Sequence, residues 1–179
     1  MHGIIVLAGG FLLDCLLGDP HNPWHPICLI GYLISFLEKK IRKLFPKQPK
    51  GEFYGGLVMV VLVLLISTAL PILILKAAKW IHPYLALVLE IIMCYQLLAA
   101  RSLRDESMKV YHALHQHDIE GARKAVSMIV GRDTQRLDAA GIAKAAVETV
   151  AENASDGVIA PMIFIAIGGV PLGFFYKAV

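Results

Sequence analysis

Residues 148–157 read ETVAENASDG and set three carboxylates, Glu148, Glu152 and Asp156, at four-residue spacing. Side chains four apart on an α-helix are neighbours on one face. Like charges stacked that way repel by about a few tenths of a kcal/mol per pair unless a cation lies over them. The spacing therefore points to cation or phosphate handling. Glu148, Glu152 and Asp156 carry oxygens of the kind magnesium prefers, with waters and substrate phosphates completing its shell, and Thr149 and Asn153 occupy the adjacent stripe. Upstream, Gly131-Arg132-Asp133-Thr134 adds a guanidinium fork suited to phosphate or carboxylate, a metal-capable oxygen and a hydroxyl, while Gly131 can close a helix. The competing reading is a solvated helix in which Glu148 simply pairs with Lys144. An otherwise alanine- and valine-rich helix has little other reason for an acidic line.

A second constellation lies near the start: Asp14, then Gly18-Asp19-Pro20, then HNPWHP at 21–26. Asp14 falls inside an apolar stretch, where a carboxylate is costly and marks a functional candidate. Gly-Asp-Pro is a turn signal, which sets Trp24 and His25 at an interface. Against this stands plain anchoring by Trp24, with Asp14 reaching to the headgroups. Glu90, in the middle of another apolar stretch, calls for an interior partner, and His82 and Gln96 are near it only in sequence. HALHQH at 112–117 reads as a wet helix face rather than a metal site. The glycosylation pattern at Asn153 falls on the expected cytoplasmic side and is set aside. Walker A, GxGxxG, GxSxG and HExxH motifs are absent from the sequence.

The elements that must position these groups belong to a membrane protein. Of the 179 residues, 57% are hydrophobic and 17% charged, with a mean hydropathy of +0.64; soluble domains carry about a quarter charged residues. Seventeen basic against fourteen acidic residues make no case for nucleic acid. Three isolated cysteines, Cys15, Cys28 and Cys94, read as buried thiols. Without a basic n-region or a cleavage pattern, the first apolar stretch is expected to stay in the membrane. The abrupt end at 176–179 leads us to expect the N-terminal portion of a longer protein.

Four apolar helices are expected. The stretch 4–17 is short for a bilayer that needs about 20 residues and reads as tilted or half-inserted. The run 53–75 has 23 uncharged residues and reads as a span whose last turn Pro71 bends or loosens. The remaining two are 83–100 and 157–176, the latter interrupted by Pro161, Gly168, Gly169 and Pro171. Segment 27–45 is amphipathic, with a lysine face suited to headgroups or to packing on the other spans. The basic loops at 38–50 and after 100 favour the cytoplasm, with the N-terminus and the 76–82 turn outside; Lys76 and Lys79 run against that assignment. Three polar helices are expected over 101–156, the second capped by Asp118, the third running from about 138 to 153. They are too small for a large core of their own and should pack on the bundle. The fold class is thus an all-α, multi-pass membrane protein forming one domain over 1–179, with a cytoplasmic helical segment.

The motifs, in this order, resemble the CbiB/CobD family, the adenosylcobinamide-phosphate synthases of cobalamin biosynthesis. The resemblance rests on Asp14, Asp19-Pro20, His25-Pro26, Ile30-Gly31, Arg101-Ser102-Leu103, GRDT at 131–134, ETVAEN at 148–153, DG-x-IAP at 156–161 and Tyr176-Lys177-Ala178-Val179. It implies an inner-membrane enzyme with its active side cytoplasmic, joining a propionate carboxylate of adenosylcobyric acid, a corrinoid, to aminopropanol or its phosphate at the expense of ATP, with magnesium. Under it, Glu148, Glu152 and Asp156 are the expected catalytic groups, Glu148 and Glu152 doubling as magnesium ligands. Arg132, Asp133, Thr134, Asn153, Asp14, Asp19, His25 and Arg101 are the expected substrate contacts. Membrane lipid and other membrane enzymes of cobalamin biosynthesis are the implied neighbours. A non-enzymatic sensor of the AmpE type, or a corrinoid carrier or scaffold, is the alternative.

Overall fold

The computed structural model describes every residue except Pro20, His21, Asn22, Trp24 and Lys47, so the expected Trp24 anchor and the Pro20 turn lie outside the described residues. Its helices are α1 (His2–Leu17), α2 (Pro26–Leu44), α3 (Pro49–Ile81), α4 (Pro83–Tyr95), α5 (Ala100–His115), α6 (Ile119–Ser127), α7 (Ala139–Ala154) and α8 (Ala160–Ala178), with one π-helical turn, Ser155–Ile159, joining the last two. No strand occurs among the described residues. Three helical stretches, Pro49–Ile81, Pro83–His115 and Ala139–Ala178, are long and apolar enough to cross a membrane, and His2–Leu17 is a shorter apolar helix. The chain is an all-α, multi-pass membrane protein.

Local signals account for the boundaries. Proline opens α2, α3 and α4, where its missing N–H costs nothing. Asp118 and Asp138 cap α6 and α7 by accepting the N–H groups of Gly121 and Gly141 at 2.9 and 2.8 Å, as their residue type favours. Pro71 does not end its helix: α3 continues ten residues beyond it, to Ile81. α6 stops at Ser127, short of Gly131, which therefore closes no helix.

α2 lies antiparallel along the first half of α3. Ile41 and Phe45 pack on Gly55, and Ile30, Ile34 and Leu37 join Val63 in the bundle core. The amphipathic segment thus packs its apolar face on a neighbouring span. α1 runs antiparallel to α4: His2 meets Glu90 at one end and Asp14 meets Ala100 at the other. The polar helices α5, α6 and α7 close around a small core of Val110, Ala122, Val126, Ile142 and Ala145, so they carry a core of their own as well as leaning on the bundle.

The interruption expected within 157–176 falls at Gly168–Gly169 and is a reversal of the chain. At Gly168 (φ −131°) and Gly169 (φ +71°, ψ −177°) α8 leaves helical geometry, and the chain doubles back. The Tyr176 ring packs against Phe164, centroids 4.7 Å apart and planes tilted by 34°, and its hydroxyl lies 3.3 Å from Asp156 Oδ1. The Gly169 conformation is one that only glycine adopts without strain, and Pro171 cannot bridge the break with an N–H. The two limbs of α8 are thus a helical hairpin whose return limb ends beside its own beginning.

Candidate functional site

The return of α8 brings its end to the place where α1 stops and α5 starts, which we call the mouth. Here two helix ends cap each other. Ala100 donates its N–H to Asp14 Oδ2 at 2.7 Å, satisfying a free donor at the start of α5. In exchange Arg101 donates to the terminal carbonyls of α1, Cys15 O at 3.3 Å and Leu16 O. Gly18 (φ +70°, ψ −174°) turns the chain directly against the Arg101 side chain, and Tyr95 fixes the turn by donating to Gly18 O at 2.6 Å. Asp19 N donates to Ser102 Oγ at 3.1 Å.

Three polar groups at the mouth are left only partly engaged. Asp14 is fully buried, and its Oδ1 has no hydrogen-bond partner. His25 Nε2 lies 2.9 Å from Asp19 Oδ1, yet it is buried without an aligned hydrogen bond; the contact is a close approach of two groups, and the missing alignment is what counts. The half-buried Lys177 donates to the main-chain oxygen of Asp156 at 3.1 Å. Unpartnered buried polar atoms are rare in folded proteins and ask for a reason. The adjoining cleft, about 1050 Å³, runs from Asp19, His25 and Arg101 along α5 to Lys124 on α6.

The acidic stripe takes a different form from the one expected. Glu148 and Glu152 share an exposed face of α7, and Asp156 falls in the π turn, where it is held by Tyr176 instead of lining up with them. Arg132 lies 2.8 Å from Glu148 and Lys144 lies 3.8 Å from it, so the partner expected from GRDT and the solvated-helix pairing are both present. Glu152 and Asn153 are exposed, and Glu152 has no ion-pair partner among the described residues. No group of three His, Cys, Asp or Glu side chains converges as a metal site among the described residues. The two carboxylates expected to offer oxygens to magnesium, Glu148 and Glu152, both lie on the exposed face of α7.

GRDT divides by role. Thr134 is buried and donates to Arg123 O at 3.3 Å, while Arg123 reaches Leu137 O at 2.9 Å; both pin the loop. Asp133 accepts from Gln135 N at 3.0 Å in a local turn. Arg132 and Asp133 line a shallow cleft of about 580 Å³ with Arg123 and Lys124. Lys124 borders this cleft and the larger one alike. Meanwhile Gly157 sits against Ala99, where an added Cβ would meet the alanine Cβ at 3.7 Å. The π turn thereby joins the end of ETVAENASDG to the mouth, and π turns recur at functional sites.

Tyr95, Ser102, Tyr176 and Lys177 were not among the expected site residues, although all four reach the mouth. Ser102, Tyr176 and Lys177 stand in the motifs that carry the family resemblance, which was the available signal for them; Tyr95 had none. Glu90, for which no firm partner was found, lies 2.7 Å from His2 Nε2; His82 caps α4 instead, accepting from Tyr84 N at 3.3 Å.

These features define a helical membrane protein with a polar mouth where its apolar helices meet a bundle of polar ones. The family described as CobD/Cbib protein matches residues 7–179, and this chain belongs to it. Similar relatives include the cobalamin biosynthesis protein CobD of Clostridium perfringens, 46% identical over 98% of this chain and 55% of its own. That of Geobacter metallireducens is 44% identical over 99% of this chain and 54% of its own. The cobalamin biosynthesis protein CbiB of Salmonella typhi is 41% identical over 98% and 55%. The chain therefore spans about half the length of the curated relatives it matches. No solved structure matches it.

Proposed function

We propose that the protein carrying this chain acts in cobalamin biosynthesis as an amide-forming ligase of the inner membrane, its mouth facing the cytoplasm. The observation that carries the reading is the membership of residues 7–179 in a family whose relatives bear that biosynthetic name. The polar side chains that family resemblance singles out gather at and near one end of the bundle, which supports it.

The substrates of the reading are adenosylcobyric acid, aminopropanol or its phosphate, and ATP. Transfer of the γ-phosphoryl group to a propionate carboxylate makes an acyl phosphate and ADP. The amine then forms the C–N bond as the C–O bond breaks, releasing phosphate and one proton. Such a path needs anion clamps and a base in a preorganised site. Arg132, with Lys124 and Arg123 beside it, is the phosphate clamp of this reading. Glu152, accessible and without an ion-pair partner among the described residues, receives the proton that the attacking amine loses, and Asp156 sits where the mouth meets α7. Glu148 holds Arg132 until an anion competes for it. Asp14 and Arg101 serve mainly as the frame, and Asp19 and His25 line the substrate cleft. Magnesium enters with the nucleotide, and no step is assigned to it.

The test is an assay of the natural full-length protein in nanodiscs for ATP-dependent consumption of adenosylcobyric acid with appearance of the amide. Loss of product in Arg132→Ala and Glu152→Gln is expected. Tight corrinoid binding with no turnover by the wild type would favour the carrier reading instead.

A further inference from the structure

The end of the bundle opposite the mouth carries two features the proposed reaction does not use: the lysines Lys76 and Lys79, which run against the charge bias expected of an external turn, and Glu90. They meet in one place. α1 begins at His2, and the α8 hairpin turns at Gly168–Gly169, both at the level of Glu90. From Glu90 to Pro83, however, α4 continues for seven residues, about 10 Å at the helical rise, and α3 keeps pace beside it to Ile81. The bundle therefore has a step. Above the short elements lies a cleft of about 580 Å³ with apolar walls of Ile72, Leu75 and Leu87 and a floor closed by Glu90 and Gly169.

We propose that this step holds the headgroup and upper acyl chains of an anionic phospholipid. The carboxylate at the floor is already engaged, because His2 Nε2 lies 2.7 Å from Glu90 Oε2. At the rim, Lys76 and Lys79 border the cleft one turn apart, and neither is in an ion pair among the described residues. Trp80 and Tyr84, 91% and 73% exposed, stand on the same turns, and such rings sit at headgroup depth. Cations at that depth above an apolar recess match a phosphodiester with its chains below it, and each basic residue at an anionic surface adds to binding. The proposal also gives the two lysines a reason to lie on the side where the charge bias does not expect them. It does not depend on the ligase reading.

The experiment uses the natural full-length protein, purified in mild detergent and reconstituted in vesicles of phosphatidylglycerol and phosphatidylcholine, with bound lipid counted by mass spectrometry. The wild type is expected to retain phosphatidylglycerol in preference to phosphatidylcholine. Lys76→Gln with Lys79→Gln should cut that preference about thirty-fold, the combined effect of two lysines at an anionic surface. Lys76→Arg with Lys79→Arg should retain it, and Lys39→Gln with Lys40→Gln, on α2, should leave it unchanged. Equal retention by the wild type and the glutamine pair would overturn the proposal, as would equal loss in the α2 control. Displacement of the lipid by millimolar inorganic phosphate would overturn it too, since the site would then be reading a free anion.

Discussion

The mouth and the α7 stripe are both rich in charge, yet they treat it in opposite ways. At the mouth Asp14 is fully buried and committed to a helix end 86 residues away, with Arg101 returning the favour. Glu148 on α7 and Arg132 in the loop before it are each about half exposed, 2.8 Å apart, and Glu152 stands without an ion-pair partner among the described residues. A buried charge-assisted cap contributes to holding the fold and leaves an unpaired donor behind when removed. An exposed ion pair contributes little to stability and can be exchanged for a ligand. The contrast separates side chains that build the site from side chains that are free to act in it.

The largest effect that would sharpen this contrast belongs to Asp14→Ala. It leaves the Ala100 N–H uncapped in a buried setting and should lower stability by roughly 2–3 kcal/mol, read as a fall in the thermal midpoint of the full-length protein in detergent. A variant as stable as the wild type would place Asp14 outside the frame. Next comes Gly169→Ala. A side chain at φ +71° and ψ −177° costs about 1–3 kcal/mol, and the return of Tyr176 to Asp156 should loosen; a spin-label distance between the two limbs of α8 would widen. Arg132→Ala should change stability by less than about 1 kcal/mol while abolishing amide formation, which separates it from Asp14→Ala. The smallest effect is that of Lys144→Ala, about a few tenths of a kcal/mol, because Lys144 is the more distant partner of Glu148. A loss as large as that of Arg132→Ala would show that the stripe is held together structurally after all.

Much of the fold could be read from local pattern. The Asp118 cap and the apolar face of α2 are short-range signals, and each appears where expected; the Asp138 cap and the proline starts are equally local signals. The pairing of Asp14 with the start of α5 could not be read, because a cap supplied from 86 residues away leaves no mark in the local sequence. Hydropathy likewise reports that 157–176 is apolar without reporting its direction. Only the Gly168-Gly169 pair and Pro171 hinted that it breaks, and nothing in the pattern says the second limb returns to Asp156. The three-carboxylate stripe was read on the assumption of one continuous α-helical register, which the π turn at Ser155–Ile159 ends.

The central claim is that the exposed acidic face of α7, and not the buried frame, carries the chemistry. The most direct measurement pairs thermal stability with ATP-dependent amide formation for Glu152→Gln in the natural full-length protein. The account predicts an unchanged midpoint, since an exposed and unpaired side chain holds nothing in place, together with a rate lower by about a hundredfold or more, the usual contribution of a positioned base. A variant that keeps both its stability and its rate would contradict it.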